Sequence, residues 1–189
     1  MNRRKFIKNA SLTGVGLSVG SSALSCANST ESKPEQDKTK TAMIIDKTKF
    51  PKAICTWGFA SANAKAGEEL AKGTKALDAA IAGVAVEEEN IKNTTVGKGG
   101  APDREGNVTL DACVMDSNGD CGAVLYVEHI TNVAALAKKV MEDTPHVILA
   151  GDGAEEFAYS QGFKKEKLLT EASEKAWGKW KESPEYKPI

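Results

Sequence analysis

Residues 96–116 read VGKGGAPDREGNVTLDACVMD, and the fold turns on how this stretch is read. Its first half is a glycine-rich loop, Gly97-Lys98-Gly99-Gly100, followed by the turn dipeptide Pro102-Asp103. Its second half alternates Val108, Leu110, Ala112 and Val114 with Thr109, Asp111, Cys113 and Met115, the period of a half-buried strand. The turn Ser117-Asn118-Gly119-Asp120 leads into a second strand over residues 122–127. An antiparallel hairpin is therefore expected, which argues against a purely parallel sheet and for an α+β arrangement. A phosphate-binding loop would run from a strand into a helix N-terminus. Here the glycines run into a turn and a strand instead, so a tight surface loop with positive φ is expected.

The hairpin register follows from its turn. Centred on Asn118-Gly119, it sets Cys113 against Val124, Cys121 against Asp116 and Asp111 against Tyr126. The two cysteines then lie on opposite faces and form no disulfide. Cys55, Cys113 and Cys121 are expected as buried free thiols. Asp111, unusual in mid-strand, is expected to be buried on the Tyr126 hydroxyl.

Upstream, residues 53–57 read as a short strand and residues 62–72 as a helix stopped by Gly73. Thr74 caps the next helix, which places Leu77, Ile81, Val84 and Ala85 at helical spacing before Glu87-Glu88-Glu89 turns it into solvent. Downstream, Asn132 caps a helix with Val133, Leu136, Ala137, Val140 and Met141 on one face. Residues 146–150 form a buried strand, and Gly151-Asp152-Gly153 opens a short helix that Gly162 ends. The carboxylates Asp152, Glu155 and Glu156 suit that helix's positive end and would repel a phosphate. A last helix over residues 171–182 carries Ala176, Trp177 and Trp180 as its apolar stripe.

The chain has 189 residues, with 41% hydrophobic and 27% charged, ordinary values for a globular protein. Its net charge is -1, but residues 1–25 hold Arg3, Arg4, Lys5 and Lys8 and no acid, leaving -5 on the remainder. An acidic body argues against nucleic acid as a partner. Residues 1–25 resemble a twin-arginine export signal. Ala23-Leu24-Ser25-Cys26 ends that leader as a lipobox with Cys26 lipidated, or as an ordinary cleavage site after Ser25; the first is favoured. The destination is then the periplasm or a membrane anchor. Residues 26–49 form a polar linker, and the folded domain occupies residues 50–189.

Few side chains announce chemistry. His129 and His146 have no ligand partner at metal spacing and read as structural. Trp57-Gly58-Phe59, two aromatics around a glycine at a strand end, could wall a ligand or simply fill a core.

Taken in order, the blocks change that reading. Thr56-Trp57-Gly58-Phe59, residues 73–79, residues 96–103, Thr109-Leu110-Asp111-Ala112, Thr144-Pro145-His146-Val147, Gly151-Asp152-Gly153 and Tyr186-Lys187-Pro188 together resemble the α-subunit portion of the glycosylasparaginases. The resemblance covers residues 54–189. Related plant-type asparaginases carry His-Gly-Gly-Ala where this chain has Cys55-Thr56-Trp57.

The resemblance implies the αββα four-layer sandwich of the N-terminal-nucleophile hydrolases, of which these residues supply the α half. It implies hydrolysis of the N-acetylglucosamine–asparagine amide by a threonine freed when the precursor cuts itself at His-Asp-Thr. By the same resemblance Trp57, Phe59 and Thr95 bind a small glycosylasparagine-type substrate, without a cofactor or metal. Thr95 stands where the family usually has serine, and Gly58 replaces a more usual Asn or Pro.

No His-Asp-Thr occurs in these residues, so no catalytic residue is assigned to them. A piece of a longer precursor is the expected explanation, with a separately encoded half and a truncated relic as alternatives. The expected partner is a β-subunit, in an αβ heterodimer or its dimer. The alternative function is a non-catalytic exported binding or interaction protein that keeps the α half of the fold.

Overall fold

A computed structural model describes residues 51–182. The expected leader, Cys26, the linker and the Tyr186-Lys187-Pro188 block lie outside the described residues. The order is α1 (Ala60–Ala71), α2 (Ala76–Glu88), β1 (Leu110–Met115), β2 (Cys121–Val127), α3 (Val133–Asp143), β3 (Ile148–Ala150), α4 (Gly151–Ser160) and α5 (Glu171–Glu182). The three strands form one mixed sheet, β1 antiparallel and β3 parallel to the central β2. This is the mixed α+β organisation that the hairpin implied.

α3 and α4 cover one sheet face. Val124, Val127, Leu136, Val140, Ala154 and Ala158 are fully buried there, joined by Ile130 and Leu168. Gly122 permits the close approach: a Cβ on it would lie 2.2 Å from the Ala137 carbonyl oxygen and 2.7 Å from the Met141 backbone nitrogen. On the other face sit Cys113, Met115, Leu125 and Ile148; Met115 is 65% exposed and Ile148 52%. Among the described residues no helix covers this side.

α1 and α2 pair as an antiparallel helical hairpin, the start of one against the end of the other. Small residues make the crossing tight, since a Cβ on Gly83 would meet the Ala62 carbonyl oxygen at 2.6 Å. Gly73 ends α1 with φ +85, as its position predicted. Lys75, not Thr74, occupies the N-cap of α2, because the Thr74 hydroxyl donates to Glu69 at 3.2 Å.

The hairpin register differs from expectation by one residue. Asp116 and Asp120 close the turn (Asp116 N–H to Asp120 C=O, 2.9 Å), leaving a three-residue loop with Gly119 at φ +80. Cys113 therefore faces Ala123, and Met115 faces Cys121. Both sulfurs share the open face as diagonal neighbours, too far apart for a disulfide. The thiols are free, but Cys55 and Cys113 are exposed and Cys121 half-buried, where burial was expected.

A bulge restores the pairing near the other end. Leu125 and Tyr126 together oppose Asp111, and Tyr126 takes φ +55. Asp111 is exposed and accepts the Tyr126 backbone N–H at 2.7 Å, in place of the expected hydroxyl.

Three further expectations fail for identifiable reasons. Residues 53–57 form no strand, because no described strand lies beside them, and Ile54 is 89% exposed. The strand expected over residues 146–150 shortens to β3, whose Ile148 and Ala150 point to the open face. On α5 the buried residue is Ser173, while Ala176 and Trp180 are exposed. No described helix is long and apolar enough to cross a membrane.

Candidate functional site

Trp57 and Phe59 stack with ring centroids 6.1 Å apart and planes 5° from parallel. A tight turn holds them just before α1, with the Phe59 N–H on the Trp57 carbonyl at 2.8 Å. Trp57 is 65% exposed and available to a ligand. Two residues on, the Ser61 hydroxyl donates to Glu87 Oε1. Oε2 of the same carboxylate accepts Asn93 Nδ2 at 3.0 Å and Asn90 Nδ2 at 3.4 Å. Asn93 Oδ1 in turn accepts both the Thr95 N–H (2.9 Å) and the Thr95 hydroxyl (2.7 Å). A continuous chain of hydrogen bonds thus links Ser61, two residues after Phe59, to Thr95, the third expected substrate-binding residue, which is itself exposed.

The expectation that Glu87 and Glu88 point into solvent is overturned: Glu87 is 6% exposed and Glu88 2%. Helical spacing carries the reason. Glu87 continues the buried positions Ala79 and Gly83 toward α1, and Glu88 follows the half-buried Leu77 and Ile81, while Val84, expected on the same apolar stripe, is exposed. The Ser61 hydroxyl, with the two asparagine amides, holds the Glu87 carboxyl below its ordinary pKa against the opposing effect of burial. Burial pushes Glu88 up, only partly offset by the Ala134 N–H and Asn132 amide. Glu88 Oε1 accepts the Ala134 N–H at 3.0 Å and so satisfies the first turn of α3. The expected cap Asn132 makes no side-chain capping bond and donates instead to Glu88 and Glu89.

The glycine loop follows directly. It is a tight positive-φ loop as expected, yet buried and not at the surface. Gly97 (φ +63) lies so close to α2 that a Cβ would stand 2.0 Å from the Glu88 carbonyl oxygen. The Lys98 N–H bonds that oxygen at 2.8 Å, and the Ser173 hydroxyl of α5 reaches the Gly99 carbonyl. Lys98 pairs with Glu166 at 2.7 Å, and Glu166 also accepts the Thr131 hydroxyl at 3.0 Å. The loop is therefore clamped from α2, α5 and the segment before α5, and Thr95 stands at its entrance. Beside it a groove of about 1160 Å³ runs between Thr94, Pro102, Arg104, Trp177 and Trp180. Trp177 floors it, donating to the Arg104 carbonyl at 3.2 Å under the Lys181 ammonium.

The histidines lie elsewhere. His129 meets Glu155, which also accepts the Glu128 and His129 N–H groups and the Tyr159 hydroxyl. Burial and that bond push the Tyr159 phenol up to about 12. Glu155 thus pins the end of β2 to α4, beyond the helix-dipole role expected of it. His146 is exposed. The arrangement at residues 57–95 presents aromatic surface and an oriented hydroxyl, which suits binding an amphipathic small molecule.

A family model described as Asparaginase matches residues 39–188. The N(4)-(beta-N-acetylglucosaminyl)-L-asparaginase of Elizabethkingia miricola is 46% identical over 189 residues, all of this chain and 52% of that protein. The rat protein of that name is 42% identical over 132 residues, covering 69% of this chain and 38% of its own length. The probable isoaspartyl peptidase/L-asparaginase 3 of Arabidopsis thaliana is 35% identical over 144 residues, 75% of this chain and 40% of that protein. The chain thus spans about half the length, or less, of these relatives. With the model matched from before α1 to beyond α5, the chain belongs to the asparaginase family.

Proposed function

We propose that this chain is the α-subunit part of an amidohydrolase that cleaves the N-acetylglucosamine–asparagine amide. The observation that carries the reading is the 46% identity, spanning all 189 residues, to a relative named for that bond. The nucleophile belongs to a β half, as the N-terminal threonine that precursor self-cleavage exposes. Its α-amino group takes the hydroxyl proton and the oxygen attacks the amide carbonyl; the ammonium returns that proton to the departing glycosylamine as the C–N bond breaks, and water then hydrolyses the acyl-enzyme so formed. Trp57 and Phe59 wall the sugar–asparagine substrate, and Thr95 offers it a hydroxyl.

The open face bearing Met115, Leu125 and Ile148 supports a β half as partner, since apolar sheet faces are ordinarily covered. Adding it completes an αββα sandwich in an αβ heterodimer or its dimer. Export by the leader at residues 1–25, with Cys26 as a lipid anchor, belongs to the same proposal.

Co-expression with a β half of the family, followed by incubation with N4-(β-N-acetylglucosaminyl)-L-asparagine, tests it. Release of aspartate is the expected result. A folded αβ complex that binds this substrate without releasing aspartate would replace the reading with a non-catalytic binding protein.

A further inference from the structure

We infer that Glu87 is a positioning residue that fixes both the spacing and the hydrogen-bond polarity of the candidate substrate-binding residues Trp57, Phe59 and Thr95. The inference rests on the proposed role of those three residues in holding substrate. Glu87 sits where the start of α1 crosses the end of α2, 6% exposed, and its hydrogen-bond partners Ser61, Asn90 and Asn93 are all neutral donors. Oε1 anchors Ser61, two residues after Phe59. Oε2 anchors Asn93, two residues before Thr95. One side chain therefore ties the turn that carries the aromatic pair to the segment that carries Thr95.

Polarity is set as well. An ionised carboxylate only accepts. Asn93 must then turn its NH2 toward Glu87, which leaves Oδ1 for Thr95. With Oδ1 taking both the Thr95 N–H and the hydroxyl proton, the exposed Thr95 oxygen is left as an acceptor. Thr95 therefore recognises a donor on the substrate, such as an amide or ammonium N–H or a sugar hydroxyl, and does not donate to a carboxylate. This assignment comes from Glu87, which itself never touches substrate.

The test uses the αβ protein and N4-(β-N-acetylglucosaminyl)-L-asparagine, with Glu87→Ala, Glu87→Gln and Ser61→Ala. Glu87→Ala should raise KM about tenfold with kcat within about twofold, the scale of a lost and misaligned hydrogen-bond set. Glu87→Gln, which keeps the shape and part of the bonding, should recover part of that loss. Ser61→Ala releases only the aromatic side; it should raise KM about threefold and lower the unfolding temperature by no more than a few degrees. Hydrogen exchange at the Thr95 N–H, which requires no catalysis, should quicken about tenfold in Glu87→Ala.

Unchanged Thr95 exchange would overturn the inference whether or not the parent hydrolyses anything. So would an active parent whose KM is untouched by Ser61→Ala and by Glu87→Gln. A parent that releases no aspartate while Thr95 exchange still responds to Glu87→Ala would sink the proposed reaction and leave the positioning intact. If Glu87→Ala fails to fold, the Ser61→Ala and Glu87→Gln results decide alone.

Discussion

Replacing Gly122 by alanine adds one methyl group at the place where sheet and helix come closest. The new Cβ would stand 2.2 Å from the Ala137 carbonyl oxygen, 2.7 Å from Met141 Cβ and 2.7 Å from the Met141 backbone nitrogen. Two of those obstacles are helix backbone and cannot rotate aside, so α3 must move about 1 Å off the sheet to restore ordinary contact. That helix buries Val133, Leu136, Ala137, Val140 and Met141, so the shift loosens the centre of the core. Overpacking costs roughly 1–3 kcal/mol and more where backbone is displaced, and we set the loss at about 3 kcal/mol or above. For a domain of this size that lowers the unfolding midpoint by about 10 °C. Urea and thermal unfolding of parent and variant measure it, with Gly178→Ala as the control. Gly178 lies inside α5 with nothing within 4 Å of its would-be Cβ, so that change should stabilise by roughly 0.5–1 kcal/mol. A Gly122→Ala variant within about 0.5 kcal/mol of its parent would refute the close approach.

Two other consequences are measurable. Burial raises the Glu88 pKa in the folded state, so the stability of its protonated form is fully present below the ordinary carboxylate value and is lost as pH rises through the raised one. Glu88→Gln cannot ionise; its stability relative to the parent should rise as pH climbs from the ordinary carboxylate value through the raised one, and parallel pH profiles for the two would contradict this. Glu87, whose pKa is lowered, works in the opposite sense, its contribution fading only as pH falls below the ordinary value. Exposed Cys55 and Cys113 should be alkylated by iodoacetamide within minutes in the native protein, and half-buried Cys121 more slowly. Addition of a β half should protect Cys113, on the open sheet face, while equal rates for Cys113 with and without it would count against that face as the interface.

The hairpin, the helix at residues 133–143 and the Gly73 stop were readable because each is coded locally, by period or by a residue with one conformational use. The register was not, because a two-residue and a three-residue loop differ only in how Asp116 closes the turn, and one residue moves every side chain to the other face. The strand expected at residues 53–57 failed for a non-local reason: a strand exists only beside another. Trp57, Phe59 and Thr95 could be singled out by resemblance, but nothing local revealed that Glu87 and Asn93 join them. The spacing of Ala79, Gly83 and Glu87 did hold that information. A run of three glutamates reads as solvated until the neighbouring helix supplies a serine to it.

Glu88 caps a helix by accepting an N–H that lies 46 residues further along the chain. A cap supplied from so far away cannot assist the helix until the loop between them has closed. α3 has no side-chain cap of its own, so a peptide cut to its length should remain largely unwound. Its winding and the docking of the α1–α2 hairpin then become one cooperative event, with a carboxylate as the latch. Synthesis order sharpens the point: the latch leaves the ribosome first and must wait, costly to bury while charged, for the helix it completes.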